Sequence, residues 1–244
     1  MSLVTIIIPY FKKKNYIKLT IKSILKQKFQ NYEILIVYDD DDKSDLNHIY
    51  QIKKLDDRIK IIINKKNIGA GLSRNKAIKV SRGKFIAFID SDDLWDPLKL
   101  QIQISFMKKN NINISHTSYY IIDENNKKIS YRTAKNLNFK DLMKSCDVGL
   151  STVVINKKLL KKDCFVNLKT KEDYVLWLKL AKKNHIFYGI KKPLVLWRSM
   201  PDSLSSSPLR KLIDGYSVYR VYIKQTIFQS LKSLTLLSIN YLKK

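Results

Sequence analysis

The chain has 244 residues and a formal net charge of +26, with 47 Lys and Arg against 21 Asp and Glu. That length can bury a sizeable core and supports one large domain, or one domain with an appendage. The two cysteines, Cys146 and Cys164, lie far apart without C-x-x-C spacing, which argues against a disulfide framework and a zinc site. No segment has the length and apolarity of a membrane span, and the N-terminus shows no signal peptide, so we expect a cytoplasmic location.

The excess of basic residues predicts attraction to polyanions such as nucleic acid or anionic lipid. Lysine dominates this excess, alongside many isoleucines and asparagines, and a general bias in composition produces the same charge. No helix-turn-helix, zinc-finger or RNP-type motif accompanies it. We therefore expect no nucleic-acid partner, and a non-catalytic polyanion-binding protein is the alternative that the charge leaves open.

The N-terminal part of the chain alternates short apolar runs with amphipathic segments. Runs rich in β-branched residues predict buried strands at residues 4–8, 33–37, 59–63 and 85–89. Apolar residues at helical spacing predict helices between them, at residues 15–28, 48–55 and 72–80. This alternation favours right-handed crossovers and a doubly wound, mostly parallel α/β sheet with helices on both faces.

The loops after these four strands share one rim of the predicted sheet. In open α/β sheets, ligands bind beyond the carboxyl ends of the strands. The rim loops include residues 9–11, 39–42, 67–74 and the acidic turn that begins at Asp90. A nucleotide across this rim is expected to meet an acid after the second strand and Arg74 near its phosphates.

The turn after the fourth strand reads DSDD, from Asp90 to Asp93. Strand alternation places Asp90 and Asp92 on one face, about 7 Å apart, and directs Asp93 elsewhere. Three carboxylates in four residues repel one another, so we expect a cation to join them. Oxygen ligands on a loop suit Mg²⁺ or Mn²⁺, with a phosphorylated ligand completing the shell, whereas a solvated acidic turn is the alternative.

Beyond residue 97 the regular alternation ends. Residues 170–185 (TKEDYVLWLKLAKKNH) predict a helix with Glu172 and Asp173 in its first turn, where acids complement the helix dipole. A serine-rich loop at residues 199–208 is a candidate lid. The other elements predicted here are helices at 98–106, 139–145 and 157–161, a turn at 124–128, and strands at 114–123, 151–155, 187–190 and 194–198.

Read together, five segments resemble family 2 glycosyltransferases in order and spacing: TIIIPYFKK, EILIVYDDDDKSD, NIGAGLSRNKAI, GKFIAFIDSDDLWDP and KEDYVLWLKLA. The resemblance covers residues 3–200 and implies the GT-A fold, a divalent metal (Mn²⁺ or Mg²⁺) and inversion at the anomeric carbon. It also implies a nucleoside-diphosphate sugar as donor, with a UDP-sugar foremost. The implied acceptor is a hydroxyl of a cell-surface glycan or a lipid-linked precursor, such as that of lipopolysaccharide or capsule.

The same resemblance assigns roles to positions of this sequence. It implies that Asp39 contacts the nucleotide base and that Arg74 lies near the nucleotide. It makes Asp90 and Asp92 the D-x-D pair, with Asp92 on the metal, and it makes Asp173 the catalytic base. The other implied donor contacts are Pro9, Phe11, Asn67, Ser91 and Asp93, and the secondary candidates are Glu172, Trp197 and Arg198.

The chemistry of sugar transfer requires these residue types. The departing phosphate gains negative charge, which a metal held by Asp92 neutralises. Asp173 can take the acceptor's proton, and a single base with no covalent intermediate gives inversion. The sequence departs from the family pattern at Tyr38, which stands at the first acid, and at Asp40, where glycine is common. Met200 stands where many relatives carry a histidine, so no histidine ligand is expected.

A nucleotidyltransferase is the alternative among enzymes, because it shares metal-binding carboxylates and a nucleotide fold. Such an enzyme needs a phosphate loop rich in Gly, Lys and Arg early in the chain. The loop after residue 8 contains lysines but no glycine, which counts against this alternative.

We expect a catalytic domain at residues 1–207, with a nucleotide-binding part at 1–98 and an acceptor part at 99–207. Residues 208–244 then form a basic, amphipathic tail of two helices, in which Asp214 is the single acid. Apolar faces with flanking lysines and arginines favour peripheral binding at the inner face of the cell membrane. The alternative is a helical pair that packs on the catalytic domain or forms a homodimer contact.

Overall fold

The computed structural model describes residues 3–200 and 207–242, and most of the candidate lid lies outside these residues. In the described residues, nine strands form one mixed sheet with helices on both faces. The strands are β1 Val4–Tyr10, β2 Tyr32–Tyr38, β3 Ile59–Ile63, β4 Phe85–Phe88, β5 Leu94–Trp95, β6 Ile114–Ile122, β7 Lys128–Arg132, β8 Val154–Asn156 and β9 Tyr188–Arg198. The helices are α1 Lys14–Leu25, α2 Leu46–Lys53, α3 Ala70–Val80, α4 Lys99–Lys109, α5 Phe139–Lys144, α6 Glu172–Ala181, α7 Pro208–Ser217 and α8 Ile227–Leu242.

The sheet has the strand order β3-β2-β1-β4-β8-β6-β9-β5, and β7 pairs with β6. Strands β1 to β4 are mutually parallel, and β6 and β9 form a second parallel pair. Strands β5, β7 and β8 run antiparallel to their neighbours. The mostly parallel α/β sheet that the sequence predicts is therefore confirmed.

Two hydrophobic cores lie on opposite faces of the sheet because successive strand residues point in opposite directions. Ile6 and Ile8 of β1 belong to the core that contains the inner faces of α1, α2 and α4. Ile7 belongs to the other core, which contains residues of α3, α5, α6 and α8. The doubly wound arrangement fixes the ends of the central strands rigidly between two layers of helices.

The first strand is longer than the sequence predicts, since β1 continues through Pro9 to Tyr10. Pro9 pairs with Val37 of β2, whereas β4 ends at Phe88, opposite Ile7. A proline at this position therefore leaves the β1–β4 ladder intact, although it lacks an N–H group.

Other differences lie in the C-terminal half. The strands predicted at 187–190 and 194–198 are one strand, β9, and Pro193 stands next to a register shift in its pairing with β6. The segment predicted as a strand at 151–155 begins in a 3-10 turn, Leu150–Thr152, and β8 follows this turn. The predicted basic helix is a single 3-10 turn, Lys157–Leu159. Strands β5 and β7 were not predicted, because one is two residues long and the other is largely polar.

The tail packs directly on the rest of the protein. Helix α7 continues into a π-helical turn, Val218–Tyr222, and α8 follows. Val218 and Tyr219 are fully buried and belong to the same core as α6. In residues 3–200 and 207–242, no helix combines the length and apolarity needed to cross a bilayer.

Candidate active site

The loops after β1, β2, β3 and β4 meet along one rim of the sheet. The ammonium of Lys13, after β1, lies 2.8 Å from Asp92 Oδ2, after β4. Asn67 Nδ2, after β3, donates to the carbonyl of Asp39, after β2, at 2.8 Å. Phe11 is 42% exposed at the same edge. Contacts between the loops thus make the rim a continuous surface.

Asp39 holds the loop between β3 and α3 in place. Its carboxylate accepts hydrogen bonds from Asn64 Nδ2 (2.7 Å) and from the backbone N–H groups of Ile68 (2.9 Å) and Gly69 (2.8 Å). Gly69 has a φ of 87°, a conformation that favours glycine, and α3 begins at the next residue. The Asp39 residue is 2% exposed, and its hydrogen bonds shape the loop that a nucleotide is expected to meet. A base contact by Asp39 remains a prediction.

The departure from the family pattern at Tyr38 has a structural explanation. Tyr38 is fully buried and stacks on Tyr10, with ring centroids 5.4 Å apart. The two hydroxyl groups donate into the acidic loop, to the carbonyl of Asp42 and to Asp45 Oδ2, each at 2.7 Å. Asp40 is 5% exposed in the same loop. The tyrosine pair therefore anchors the loop after β2.

Arg74 is the central residue of the site. It projects from α3, is 2% exposed, and bridges two acids from distant parts of the chain. Nη2 lies 2.7 Å from Asp90 Oδ1, and Nη1 lies 2.6 Å from Glu172 Oε1. Burial alone would lower the pKa of Arg74, but the two carboxylates outweigh burial and raise it. Arg74 therefore joins the acidic turn to the start of α6.

The two remaining acids of the turn have different environments. Asp92 pairs with Lys13, and its side chain is 14% exposed. Asp93 is fully buried and accepts hydrogen bonds from Ser151 Oγ and the backbone N–H of Arg198. Burial raises the pKa of both carboxyls, and for Asp93 the charge of Asp92 raises it further. The structure thus places Asp92 at the rim and Asp93 in the interior.

Three other predicted residues also lie within or beside the sheet. Pro9 is buried in β1. Ser91 is 4% exposed, and its carbonyl accepts a hydrogen bond from Thr20 Oγ1 at 3.0 Å. Trp197 is half-buried in β9, in register with Ile121 of β6. Their predicted contacts with the donor remain proposals.

Arg198 fastens the acidic turn to the β6–β7 connection. Its guanidinium donates to the carbonyls of Asp92 (2.9 Å) and Asp123 (2.7 Å), and to Asn126 Oδ1 (2.7 Å). The same group lies over the ring of Tyr16, 4.7 Å from the centroid. These contacts leave Arg198 3% exposed, so its observed role is to hold the Asp92 backbone.

Asp173 lies in the first turn of α6, just after Lys171, whose φ is 64°. The carboxyl is half-buried, and Oδ1 accepts a hydrogen bond from the backbone N–H of Tyr174 at 2.7 Å. Burial, together with the neighbouring charge of Glu172, raises the pKa of Asp173 to about 7. A carboxylate with this pKa can take up a proton near neutral pH, as a general base must.

The tail supports the N-terminal part of α6 from behind. Asp214 of α7 accepts hydrogen bonds from the backbone N–H (2.9 Å) and the hydroxyl (2.8 Å) of Thr170. The hydroxyl groups of Tyr174 and Tyr219 lie 2.9 Å apart in the core. The single acid of the tail is therefore a buried structural group.

Three contacts of this site were missed from the sequence. Ser151 and the Arg198 backbone were missed because they are 58 and 105 residues from Asp93 along the chain. Lys13 had a detectable signal, since it belongs to the run KKK at the end of β1 and hence at the rim.

The acidic turn suits a metal that arrives with a phosphorylated ligand. In the described part of the chain, no group of three or more His, Cys, Asp or Glu side chains is arranged to hold a metal ion. Asp90 and Asp92 still have 33% and 14% of their side-chain surface exposed at the rim. Mg²⁺ is usually bound by one or two carboxylates, with phosphate oxygens and water in the remaining positions. The donor set at the rim fits this description.

A turn compatible with a metal and a carboxyl with a near-neutral pKa, brought to one rim by a buried arginine, are groups that a nucleotide-dependent group transferase needs. The chain belongs to glycosyl transferase family 2, whose model matches residues 5–167. Family membership decides in favour of sugar transfer over the nucleotidyltransferase and polyanion-binding alternatives.

A similar relative comes from Escherichia coli. It is the UDP-Glc:alpha-D-GlcNAc-diphosphoundecaprenol beta-1,3-glucosyltransferase WfgD, which is 40% identical over 227 residues. The alignment covers 92% of this chain and 88% of WfgD.

Solved structures share the fold. TarS 1-349 of S. aureus in complex with UDP-GlcNAc superposes with a TM-score of 0.74 at 21% identity, over 96% of this chain and 70% of the TarS 1-349 chain. The mannosyltransferase PcManGT from Pyrobaculum calidifontis, in complex with GDP-Man and Mn²⁺, gives a TM-score of 0.66 at 13% identity, over 95% of this chain and 69% of PcManGT. The predicted GT-A fold is confirmed.

Proposed function

We propose that this glycosyltransferase moves a sugar, with inversion, from a UDP-sugar to a hydroxyl of a lipid-linked glycan precursor, and that it needs Mn²⁺ or Mg²⁺. The observation that carries the proposal is the bridge through Arg74. It couples the Asp90–Asp93 turn to the Glu172–Asp173 pair across the rim where the parallel strands end. Donor activation and acceptor deprotonation can then take place in one rigid frame.

The roles follow from the surroundings of each acid. Asp92, with Asp90 beside it, is the proposed metal ligand, and a divalent ion there neutralises charge on the leaving diphosphate. Asp173 is the proposed base, because its pKa of about 7 lets it accept the acceptor's hydroxyl proton. Glu172 is held by Arg74 and so serves to position α6. Direct attack by the deprotonated hydroxyl inverts the anomeric carbon.

The donor is proposed to lie across the rim loops, in contact with Phe11, Asn67 and the loop that Asp39 organises. Phe11 and Asn67 are exposed there, as residues that meet a ligand must be. UDP is favoured because WfgD uses UDP-Glc by name and the TarS structure contains UDP-GlcNAc. Mn²⁺ is supported in the same way by the PcManGT complex.

A panel of nucleotide sugars tests the proposal. The purified protein is incubated with Mn²⁺ and UDP-, GDP- or dTDP-sugars, with and without a polyprenyl-diphosphate-linked sugar, and release of nucleotide is measured. We expect one UDP-sugar to be consumed faster when the lipid-linked acceptor is present, and EDTA to stop the reaction. Equal rates with and without the acceptor would contradict the acceptor class, and full activity in EDTA would contradict the metal.

The lipid-linked acceptor places the reaction at a membrane, and α8 has a suitable surface. Its outward face carries Phe228, which is 80% exposed, followed at helical spacing by Leu231, Leu236 and Ile239. Lys232 is exposed on the same face. Because the protein has a net charge of +26, we propose that an anionic bilayer binds this face. Each basic residue near the surface contributes about 1 kcal/mol to such binding.

Removal of the whole tail does not test this proposal cleanly, because the tail also carries buried core residues. The sharper variant is the double substitution Phe228→Ser and Leu231→Ser. Val80→Ser with Ile129→Ser is the matched control, since these side chains are 57% and 56% exposed on other parts of the surface. We expect the control to float with anionic vesicles at low salt and the α8 variant to remain unbound. Equal flotation would contradict membrane binding by α8, and a shift from dimer to monomer without flotation would favour the homodimer alternative.

A further inference from the structure

Lys13 is a positively charged residue at the rim, and the similar proteins give no role for it. It follows β1 and directly precedes α1, and its neighbour Lys12 adopts a left-handed backbone conformation with a φ of 50°. This turn brings the Lys13 ammonium to 2.8 Å from Asp92 Oδ2. The side chain of Lys13 is 26% exposed, so the pair lies at the edge of the rim.

The three acids of the turn differ in how firmly each partner is held. Asp90 is paired with Arg74, whose side chain is 3% exposed and is fixed from its other side by Glu172. Asp93 is bonded inside the protein. Among the three, Asp92 is the one whose partner is a flexible and partly solvated lysine. Its ion pair is therefore the easiest of the three to exchange.

We propose that Lys13 is an internal counter-ion that holds Asp92 in the nucleotide-free enzyme and competes with the divalent metal for this carboxylate. The inference rests on the proposed role of Asp92 as metal ligand. A partly exposed ion pair has a small net free energy, so a divalent ion bound also to a diphosphate can displace the lysine. Lys13 thus lowers the affinity of the free enzyme for metal and favours entry of the metal together with the nucleotide.

The test measures Mn²⁺ binding to the nucleotide-free protein by electron paramagnetic resonance of free Mn²⁺. We expect Lys13→Gln to bind Mn²⁺ about fivefold more tightly than wild type, the factor that matches the loss of a competing, partly exposed ion pair. Lys13→Arg keeps the positive charge and should bind Mn²⁺ as the wild type does. Thermal melts in EDTA verify that each variant is folded.

Lys14→Gln is the matched control. Lys14 lies one residue further on, is 56% exposed, and has its ammonium 3.4 Å from Asp45 Oδ1. The two glutamine variants remove the same charge from the same part of the chain. If Lys14→Gln tightens Mn²⁺ binding as much as Lys13→Gln does, the effect is general electrostatics and the proposal is wrong.

A further variant, Asp92→Asn, separates this proposal from the proposed function. Loss of Mn²⁺ binding in Asp92→Asn, with equal affinities in wild type and Lys13→Gln, would overturn the role of Lys13 alone. Unchanged Mn²⁺ binding in Asp92→Asn would overturn the metal assignment and, with it, the competition.

Discussion

Two pairs of acids, Asp90 with Asp92 and Glu172 with Asp173, lie on opposite sides of Arg74. In each pair the guanidinium holds one member, Asp90 or Glu172, at 2.6–2.7 Å. The other member is available for chemistry. Asp92 pairs with a lysine at the rim, whereas Asp173 has a pKa of about 7.

The free members, Asp92 and Asp173, suggest how one buried cation can support the two roles proposed for them. Near Asp92 a second positive charge, the ammonium of Lys13, opposes the rise in pKa that burial causes. At Asp173 burial is the main cause of the raised pKa, and the carboxylate of Glu172 raises it further. The two free acids thus differ in the charge of their second neighbour, which suits the proposed metal ligand in one pair and the proposed base in the other.

Substitution of Arg74 should have the largest effect, since it breaks both pairs at once. Arg74→Met leaves two carboxylates without their shared cation, and breaking a buried ion pair costs roughly 3–5 kcal/mol. We expect the lower part of that range, because Asp90 is one-third exposed. Urea denaturation measures the loss. Arg58→Met is the control, as its pair with Asp56 is more exposed and should contribute less than about 1 kcal/mol. Equal losses in the two variants would contradict a central role for Arg74.

The pH dependence should separate the two acid pairs. Transfer should fall about tenfold per pH unit below a pH of about 7, as Asp173 becomes protonated.

The same carboxyl should make the stability of the fold depend on pH. Because the pKa of Asp173 is higher in the folded protein than in the unfolded chain, protonation of Asp173 stabilises the fold. This stabilisation is complete below the pKa of the unfolded chain and is lost as the pH rises through about 7. Asp173→Asn should therefore gain melting temperature relative to wild type between pH 5 and pH 8. The exposed Asp57→Asn is the control, and the same gain there would contradict the assignment.

Support of α6 by the tail should have a smaller effect. The hydroxyl of Tyr219 lies 2.9 Å from that of Tyr174 and donates to the carbonyl of Met143 at 3.0 Å. Tyr219→Phe removes this buried group and should cost about 1 kcal/mol in the free energy of unfolding. Tyr241→Phe, on a side chain that is 62% exposed, should cost much less. Indistinguishable unfolding free energies would show that the tail does not support α6 through this contact.

Much of the N-terminal half could be predicted from the sequence because its signals are local. Each central strand is a short apolar run, and each polar loop directly follows its strand. Parallel pairing then places residues as distant as Lys13 and Asp92 at one edge of the sheet. Arg74 and Lys13 are positively charged side chains beside the acidic turn, whereas the divalent metal predicted there stays a prediction.

The C-terminal half was harder to predict because its contacts are long-range. The environment of Asp93 depends on Ser151, in the 3-10 turn before β8, and on the backbone of Arg198, at the end of β9. The partner of Glu172 is 98 residues earlier in the chain, so the helix-end explanation for that acid was incomplete. Amphipathic spacing predicted the two helices of the tail. It did not predict which of their residues are buried, because burial there depends on α6, against which Tyr219 packs.

The central claim, that Asp92 binds the metal and Asp173 is the base, is tested most directly by comparing two variants. Calorimetry measures the binding of UDP with Mn²⁺, and a transfer assay with the lipid-linked acceptor measures turnover. Asp173→Asn should bind UDP with Mn²⁺ as wild type does and lose transfer by about 10²- to 10⁴-fold, because it lacks only the base. Asp92→Ala should lose both metal-dependent binding and transfer. Near-wild-type transfer in Asp173→Asn, or normal turnover in Asp92→Ala, would contradict the claim.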